Sequence, residues 1–294
     1  MSNPSIDPRI YDLYHEYCHG RMERRDFLRR ASAITVAGGI TGLAMAEALL
    51  PDYAAAQTIM FTDERIHPEY VTYPSPGGNA ETMRGYLVAP AGEGPFPAVL
   101  VVHENRGLNP YIEDVARRAA VAGFLALAPD ALTPMGGYPG NDDDGRAMQR
   151  ELDRGKIFTD MLNGARWVKA HALSTGRLGV TGFCFGGAVS NWLAVEMGGD
   201  LQAAAPFYGS APDPEDVAGI EAELLVHYAE DDARVNATRA GYEAALEAAG
   251  KAFAMHEYPG TRHGFHNNST PRYDAEAAAL AWSRTIALFE RRLT

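Results

Sequence analysis

Arg177-Leu178-Gly179-Val180-Thr181-Gly182-Phe183-Cys184-Phe185-Gly186-Gly187 is the stretch that decides how this chain reads. An apolar run suited to a buried strand ends at Gly182-Phe183, and from Phe185 onward apolar residues recur at three- and four-residue spacing. Strand therefore passes to helix through Cys184 alone, with glycines close on either side. The spacing is G-x-C-x-G-G, with cysteine where the nucleophile elbow G-x-S-x-G carries serine. In such a turn the backbone of the reactive residue is strained, and the flanking glycines let strand and helix pack closely. The first turn of the helix aims N–H groups and the positive end of its dipole at the sulfur, favouring a thiolate and later an oxyanion. The plain alternative is a buried structural cysteine beside a tight turn, since unpaired cysteine is among the most buried residue types.

Outward from the turn, strand and helix patterns alternate. Apolar runs at 98–104, 124–130, 177–183, 203–209, 223–229 and 252–258 suit strands covered on both faces. Helical spacing appears at 111–122, 153–171, 185–197, 236–249 and 274–292. Ahead of them, runs at 69–74 and 83–90 flank Pro76-Gly77-Gly78-Asn79, which predicts an antiparallel hairpin. The expectation is one α/β domain over 57–294: a mostly parallel central sheet, helices on both faces and an antiparallel N-terminal hairpin. Residues 134–144, PMGGYPGNDDD, read as the longest non-periodic loop and a candidate pocket mouth.

Composition narrows the function classes. The chain has 294 residues, 46% hydrophobic and 22% charged, which excludes a disordered polymer. Its 26 Lys and Arg against 38 Asp and Glu give a net charge of −12, so the body as a whole repels nucleic acid. Two cysteines, Cys18 and Cys184, make no disulfide framework. No H-E-x-x-H spacing joins His103, His227, His256 or His266 to the acids near them, and Gly136-Gly137 and Gly186-Gly187 lie in no phosphate loop. Neither a metal nor a cofactor is expected.

The N-terminus carries a separate signal. Residues 21–30, RMERRDFLRR, precede an apolar, small-residue stretch over 31–50 and the pattern Ala54-x-Ala56. Basic, apolar and A-x-A segments in that order describe an export signal, and Arg24-Arg25-x-Phe27-Leu28 resembles the twin-arginine pattern. The expectation is delivery to the periplasm or exterior by the twin-arginine machinery, with cleavage after Ala56. The alternative keeps residues 1–56 attached as a helical arm on a cytoplasmic protein. Tyr11, Tyr14 and Tyr17 favour it, being odd in a disposable tag.

Two further strand ends supply polar groups in the order an elbow needs, nucleophile then acid then histidine. The run ELLVHYA leads into Glu230-Asp231-Asp232-Ala233-Arg234-Val235, and AFAMHEY leads into Pro259-Gly260-Thr261-Arg262-His263-Gly264-Phe265. Carboxylates and His263 at the C-terminal ends of parallel strands face the crevice where open α/β sheets bind ligands.

With G-x-C-x-G-G at 182–187, the acid loop A-E-D-D-x-x-V and G-x-x-H-G-F at 260–265, residues 70–294 resemble the dienelactone hydrolase family, a branch of the α/β-hydrolase fold. The resemblance implies a Cys184, His263, Asp232 triad, Asp232 fitting better than Asp231 because it stands three residues before Val235. It implies that Glu104, in His103-Glu104-Asn105-Arg106-Gly107, interacts with the thiol and helps release its proton when substrate arrives. It also places Asn105 beside Phe185 as backbone donors to an oxyanion, Phe185 following from the elbow rule as well. In one respect the chain departs. The family's enzyme for dienelactone has arginine four residues beyond the triad histidine, where this chain has Asn267. Arg106, Arg146, Arg150 and Arg262 are the candidates to hold a substrate carboxylate in its place. The implied activity is hydrolysis of a small ester or lactone through a thioester, of the carboxymethylenebutenolidase class. The competing readings are a broader carboxylesterase or thioesterase, a redox-sensing thiol protein, and a noncatalytic binding scaffold.

Overall fold

Nine-residue strands β1 (Ile66–Pro74) and β2 (Thr82–Pro90) pair antiparallel from Ile66 opposite Pro90 to Pro74 opposite Thr82, around the Pro-Gly-Gly-Asn turn. The computed structural model describes residues 7–18, 22–34, 50 and 52–294. Most of the apolar core of the expected export signal, 35–49, lies outside the described residues.

Behind the hairpin follow β3 (Phe96–Val102), β4 (Leu125–Pro129), β5 (Ser174–Phe183), β6 (Ala203–Phe207), β7 (Glu223–Asp231) and β8 (Phe253–Arg262). They form one eight-stranded sheet in the order β1-β2-β4-β3-β5-β6-β7-β8, parallel from β4 through β8. The hairpin joins it through antiparallel β2–β4 pairing. Central strands carry unbroken apolar runs because both faces are covered: Ala98 to Val102 of β3 are fully buried.

Ten helices among the described residues complete the fold. α1 (Pro8–Cys18), α2 (Arg24–Ser32) and the short α3 (Tyr53–Ala56) precede the sheet. α4 (Pro110–Val121), α5 (Asp142–Glu151), α6 (Arg154–Lys169), α7 (Phe185–Met197), α8 (Ala233–Asn236), α9 (Arg239–Ala248) and α10 (Ala275–Leu293) connect and follow the strands. α6, α7 and α9 bury Met161, Val168, Leu193 and Leu246 on one face of the sheet. α4 and α10 bury Ile112, Val115, Leu288 and Phe289 on the other.

The stretch read as a loop over 134–144 differs. Thr133–Met135 is one 3-10 turn, and from Asp142 the chain is helical. Asn141 caps α5 by accepting from the Asp144 N–H, and three acids fill the first turn, where the helix dipole favours negative charge. The polar run DDDGRAMQRE hid this helix, because the apolar stripe a surface helix shows is nearly missing from it.

Candidate active site

Cys184 sits in the one-residue turn between β5 and α7 with φ 57° and ψ −110°, a left-handed conformation that costs a non-glycine residue of order 1–3 kcal/mol. Its N–H donates to the Phe207 carbonyl at 3.1 Å and its carbonyl accepts from the Ala188 N–H at 3.2 Å, so the strain is held from both sides. The flanking glycines have a steric cause. A Cβ on Gly182 would fall onto the Gly186 carbonyl, one on Gly186 onto the Val102 carbonyl, and one on Gly187 onto the Phe207 carbonyl. Only glycine lets α7 start this close to three strand ends.

His263 and Asp232 converge on that turn. His263 Nδ1 donates to Asp232 Oδ2 at 2.5 Å, with both side chains buried. Asp232 also caps α8 by accepting from the Val235 N–H at 3.4 Å. Asp231 points the other way: its side chain is 68% exposed and pairs with Arg262 Nε at 3.3 Å. The β7–β8 register slips between Ala229 and Asp231, the kind of irregularity that re-aims side chains at a strand end.

The electrostatics follow from burial and mutual charge. Burial alone would push the Cys184 thiol up, yet the His263 imidazolium beside it outweighs that and holds it below its ordinary value. Burial would push His263 down, but the Cys184 sulfur and the Asp232 carboxylate reverse this and hold it up at about 9. Burial likewise opposes ionisation of Asp232, and His263 more than compensates. Both shifts run toward a thiolate paired with an imidazolium. With Nδ1 engaged by Asp232, Nε2 is the nitrogen left for the sulfur.

Glu104 lies at the end of β3, buried, with Oε2 accepting from Asn267 Nδ2 at 3.0 Å and Oε1 without a hydrogen-bond partner. Its charge acts on Cys184 against thiolate formation. Asn267 is fully buried and is engaged with Glu104. Arg106 is also buried, its Nη1 donating to Asp142 Oδ2 at 2.7 Å and its Nη2 standing 3.8 Å from Glu104 Oε2. Asn267 and Arg106 thus meet Glu104 from within the protein, behind the cavity wall.

Cys184 opens into a cavity of about 410 Å³, lined also by Asn105 and Phe185. Arg146, Arg150, Arg154 and Arg234 stand around it, and among the described residues lining it there is no carboxylate. On a protein of net charge −12 this is a locally cationic pocket, which focuses the field on anionic ligands. Of the candidate arginines the structure brings Arg146 and Arg150 to the pocket, one turn apart on α5, and places Arg262 outside it against Asp231. Arg154, Arg234, Ser210 and Tyr208 were not legible as site residues. Tyr208 packs on His263 with ring centroids 4.9 Å apart and carries φ 37°. Its signal was faint, a tyrosine inside the apolar run 203–209 and one residue past the end of β6.

The other buried histidines have structural partners. His103 Nδ1 donates to the Glu104 carbonyl at 2.5 Å while Nε2 accepts from the Ala131 N–H at 3.2 Å. His227 bonds with Tyr258 and Thr285, and His266 with Tyr111.

A model of the dienelactone hydrolase family matches residues 83–293, the stretch that contains the turn, the acid loop and His263. The chain belongs to the dienelactone hydrolase family. Among its relatives, a Yersinia pestis protein assigned by name to the carboxymethylenebutenolidases is 30% identical over 239 residues, 76% of this chain and 88% of that one. The Escherichia coli K12 chain named as hydrolase fragment YghX is 62% identical over 115 residues, 39% of this chain and 97% of that fragment. A crystal structure from Klebsiella pneumoniae, assigned by name as a dienelactone hydrolase, superposes with a TM-score of 0.65 at 27% identity, covering 76% of this chain and 99% of that one. The mostly parallel sheet with its antiparallel hairpin is that family's α/β-hydrolase architecture, and this dienelactone hydrolase-family member is a hydrolase acting on esters or lactones. A second model, described as YqhI-like, matches residues 2–37.

Proposed function

We propose that this dienelactone hydrolase-family chain cleaves a small ester or lactone bearing an anionic group, through a thioester on Cys184. The observation that carries the reading is His263 bonded to Asp232 at 2.5 Å while its other face meets the sulfur of a strained turn. The Cys184 thiolate attacks the carbonyl carbon, and the carbonyl oxygen takes the negative charge. Backbone N–H groups of Phe185, at the start of α7, and of Asn105 receive that oxyanion, each donor of this kind lowering a barrier by about 3 kcal/mol. The His263 imidazolium then protonates the leaving alkoxide or enolate, which departs as the C–O bond breaks. Neutral His263 next takes a proton from water, whose oxygen attacks the thioester and restores the thiolate. Asp232 keeps the ring oriented and stabilises its charged form. The arginines around the pocket, Arg146 foremost, hold the anionic end of the substrate.

Turnover of lactones and of aryl esters with and without a terminal carboxylate, alongside labelling of Cys184 by a thiol-directed probe, tests the reading. Preference for the carboxylate-bearing esters supports it. Indifference to the acyl chain marks a broader carboxylesterase or thioesterase. Reversible oxidation of Cys184 without turnover marks a redox thiol, and ligand retention with an unreactive thiol marks a binding scaffold.

The raised His263 sets a pH limit. The ion pair exists between the lowered pKa of the thiol and the raised pKa of the imidazolium and is lost above the latter, so kcat/KM is expected to fall on the alkaline side near pH 9. Asp232→Asn removes one of the charges that hold the proton on, and should move that limb to lower pH. A wild-type profile still flat well above that pH contradicts the assignment.

Glu104→Gln separates two effects of one carboxylate. Removing its charge should lower the pH midpoint of Cys184 alkylation in the resting protein, because that charge opposes the thiolate. If Glu104 also takes the thiol proton as substrate binds, stopped-flow acylation slows near neutral pH and recovers toward higher pH. An unchanged midpoint and an unchanged acylation profile would reduce Glu104 to a structural acid.

A further inference from the structure

The N-terminal helices meet the wall of the pocket. α1, α2 and Met22 just ahead of α2 form one buried cluster of Ile10, Tyr14, Tyr17, Met22, Phe27 and Ala31, with the Tyr17 and Phe27 rings stacked at 5.2 Å. Arg272, ahead of α10, lies over the Tyr14 ring at 5.0 Å, and the polar contacts of Tyr17, Glu23 and Arg24 fall on α5. The Tyr17 hydroxyl donates to Asp143 Oδ1, and Arg24 Nη1 reaches Asp143 Oδ2 at 3.1 Å. The Arg146 guanidinium lies over the Tyr17 ring, 4.3 Å from its centroid, and Arg150 Nη1 pairs with Glu23 Oε1 at 3.1 Å. The two cavity arginines of α5 are thus both in contact with the arm.

The shared carboxylate gives that contact a consequence for charge. Arg146 is 4% exposed, its Nε has no hydrogen-bond partner, and its ion pair with Asp143 is long, at 3.4 Å. Tyr17 and Arg24 draw the Asp143 carboxylate toward themselves and so leave the positive charge of Arg146 to the cavity. Tyr17 also supplies an aromatic face for the guanidinium, an attraction that strengthens in a desolvated setting. The neighbouring Asp142 is held by the same N-terminal segment. Tyr53 of α3 donates to Asp142 Oδ1 at 2.6 Å and accepts from Asn109 Nδ2 at 2.8 Å, while the Asp52 N–H donates to the Ser269 carbonyl at 2.7 Å. Removal of everything through Ala56 would take Tyr17, Arg24 and Tyr53 away from both acids at the start of α5.

We propose that the N-terminal segment is a retained backing of the pocket wall, with Tyr17 the positioning residue that keeps Arg146 available to an anionic substrate and so sets the preference for charged over neutral esters. This rests on the anionic-ester reading above.

The test uses the full chain and two probes, 4-nitrophenyl hemiglutarate, which carries a free carboxylate, and neutral 4-nitrophenyl butyrate. The selectivity, as the ratio of their kcat/KM values, should fall about tenfold in Tyr17→Ala, the scale of one charge-assisted contact, through a higher KM for the hemiglutarate. Tyr17→Phe keeps the ring over Arg146 and loses only what the hydroxyl contributes to Asp143 and Arg146, so it should fall less. Asp143→Asn removes the acid that competes for Arg146 and should keep or raise the selectivity even where the tyrosine variants lose it, which a merely loosened arm would not produce. Selectivity unchanged in both Tyr17 variants, with the wild type active, would overturn the proposal while leaving the hydrolase reading intact. Wild type inert toward both esters would sink the hydrolase reading instead. Fully selective protein isolated from its own cells without residues 1–56 would overturn the retained backing.

Discussion

Cys184→Ala is expected to lower ester turnover by at least about 10⁴-fold, the scale on which removing a nucleophile acts when the remaining groups work as a unit. The side chain leaves only a small hollow facing the cavity, and the turn is held by backbone bonds to Phe207 and Ala188 and by contacts of glycine with strand ends. The fold should therefore survive, and alanine also accepts the left-handed conformation no worse than cysteine. Cys184→Ser is expected to remain a weak enzyme. A hydroxyl is far less acidic than a thiol, so the charge arrangement that stabilises a resting thiolate does not ionise serine, and attack then depends on His263 as a base. Steady-state rates of the three proteins on one aryl ester, with circular dichroism to verify folding, check both expectations. Near wild-type turnover in the alanine variant would remove Cys184 from the chemistry.

The second large effect separates two adjacent acids. Asp232→Asn should cost about 10⁴-fold in kcat, as the loss of the orienting carboxylate does in the serine triad, because an amide at that position favours the wrong imidazole tautomer and gives the imidazolium no charge partner. Asp231→Asn should change kcat by less than about threefold, its carboxylate being largely exposed and engaged with Arg262, where such pairs are worth about 0–1 kcal/mol. Equal losses at the two positions would mean that the acid loop is set otherwise than the Asp232–His263 bond implies.

Adjacent acids with opposite surroundings show how far the sequence of this chain encodes its site. Strand runs, hairpin and helices were legible wherever apolar periodicity is strong, since burial on one or both faces leaves a period in the sequence. Cys184 was legible because its turn requires glycines at fixed offsets, and those offsets have a steric origin at Val102, Gly186 and Phe207. His263 and Asp232 were legible from their order along the chain and their places after apolar strands. Helix α5 was not, because its exposed, charge-rich surface carries little period, and with it went the role of Arg146 and Arg150 as one pocket wall. The contacts of Tyr17 with Asp143 and Arg146 join residues more than a hundred positions apart, which no local pattern encodes. Asn267 shows the reverse case. Its position in the chain drew attention to a missing arginine, while its side chain supports Glu104 from behind the pocket.

The central claim, covalent catalysis at Cys184, is tested most directly by rapid-quench mass spectrometry of the wild-type protein mixed with a slowly hydrolysed aryl ester. The account predicts an acyl adduct on the peptide containing Cys184 within the first turnover, decaying at the rate of product acid release. Product released at that rate with Cys184 unmodified at every time point, or an acyl group on another residue that decays in step with turnover, would contradict it.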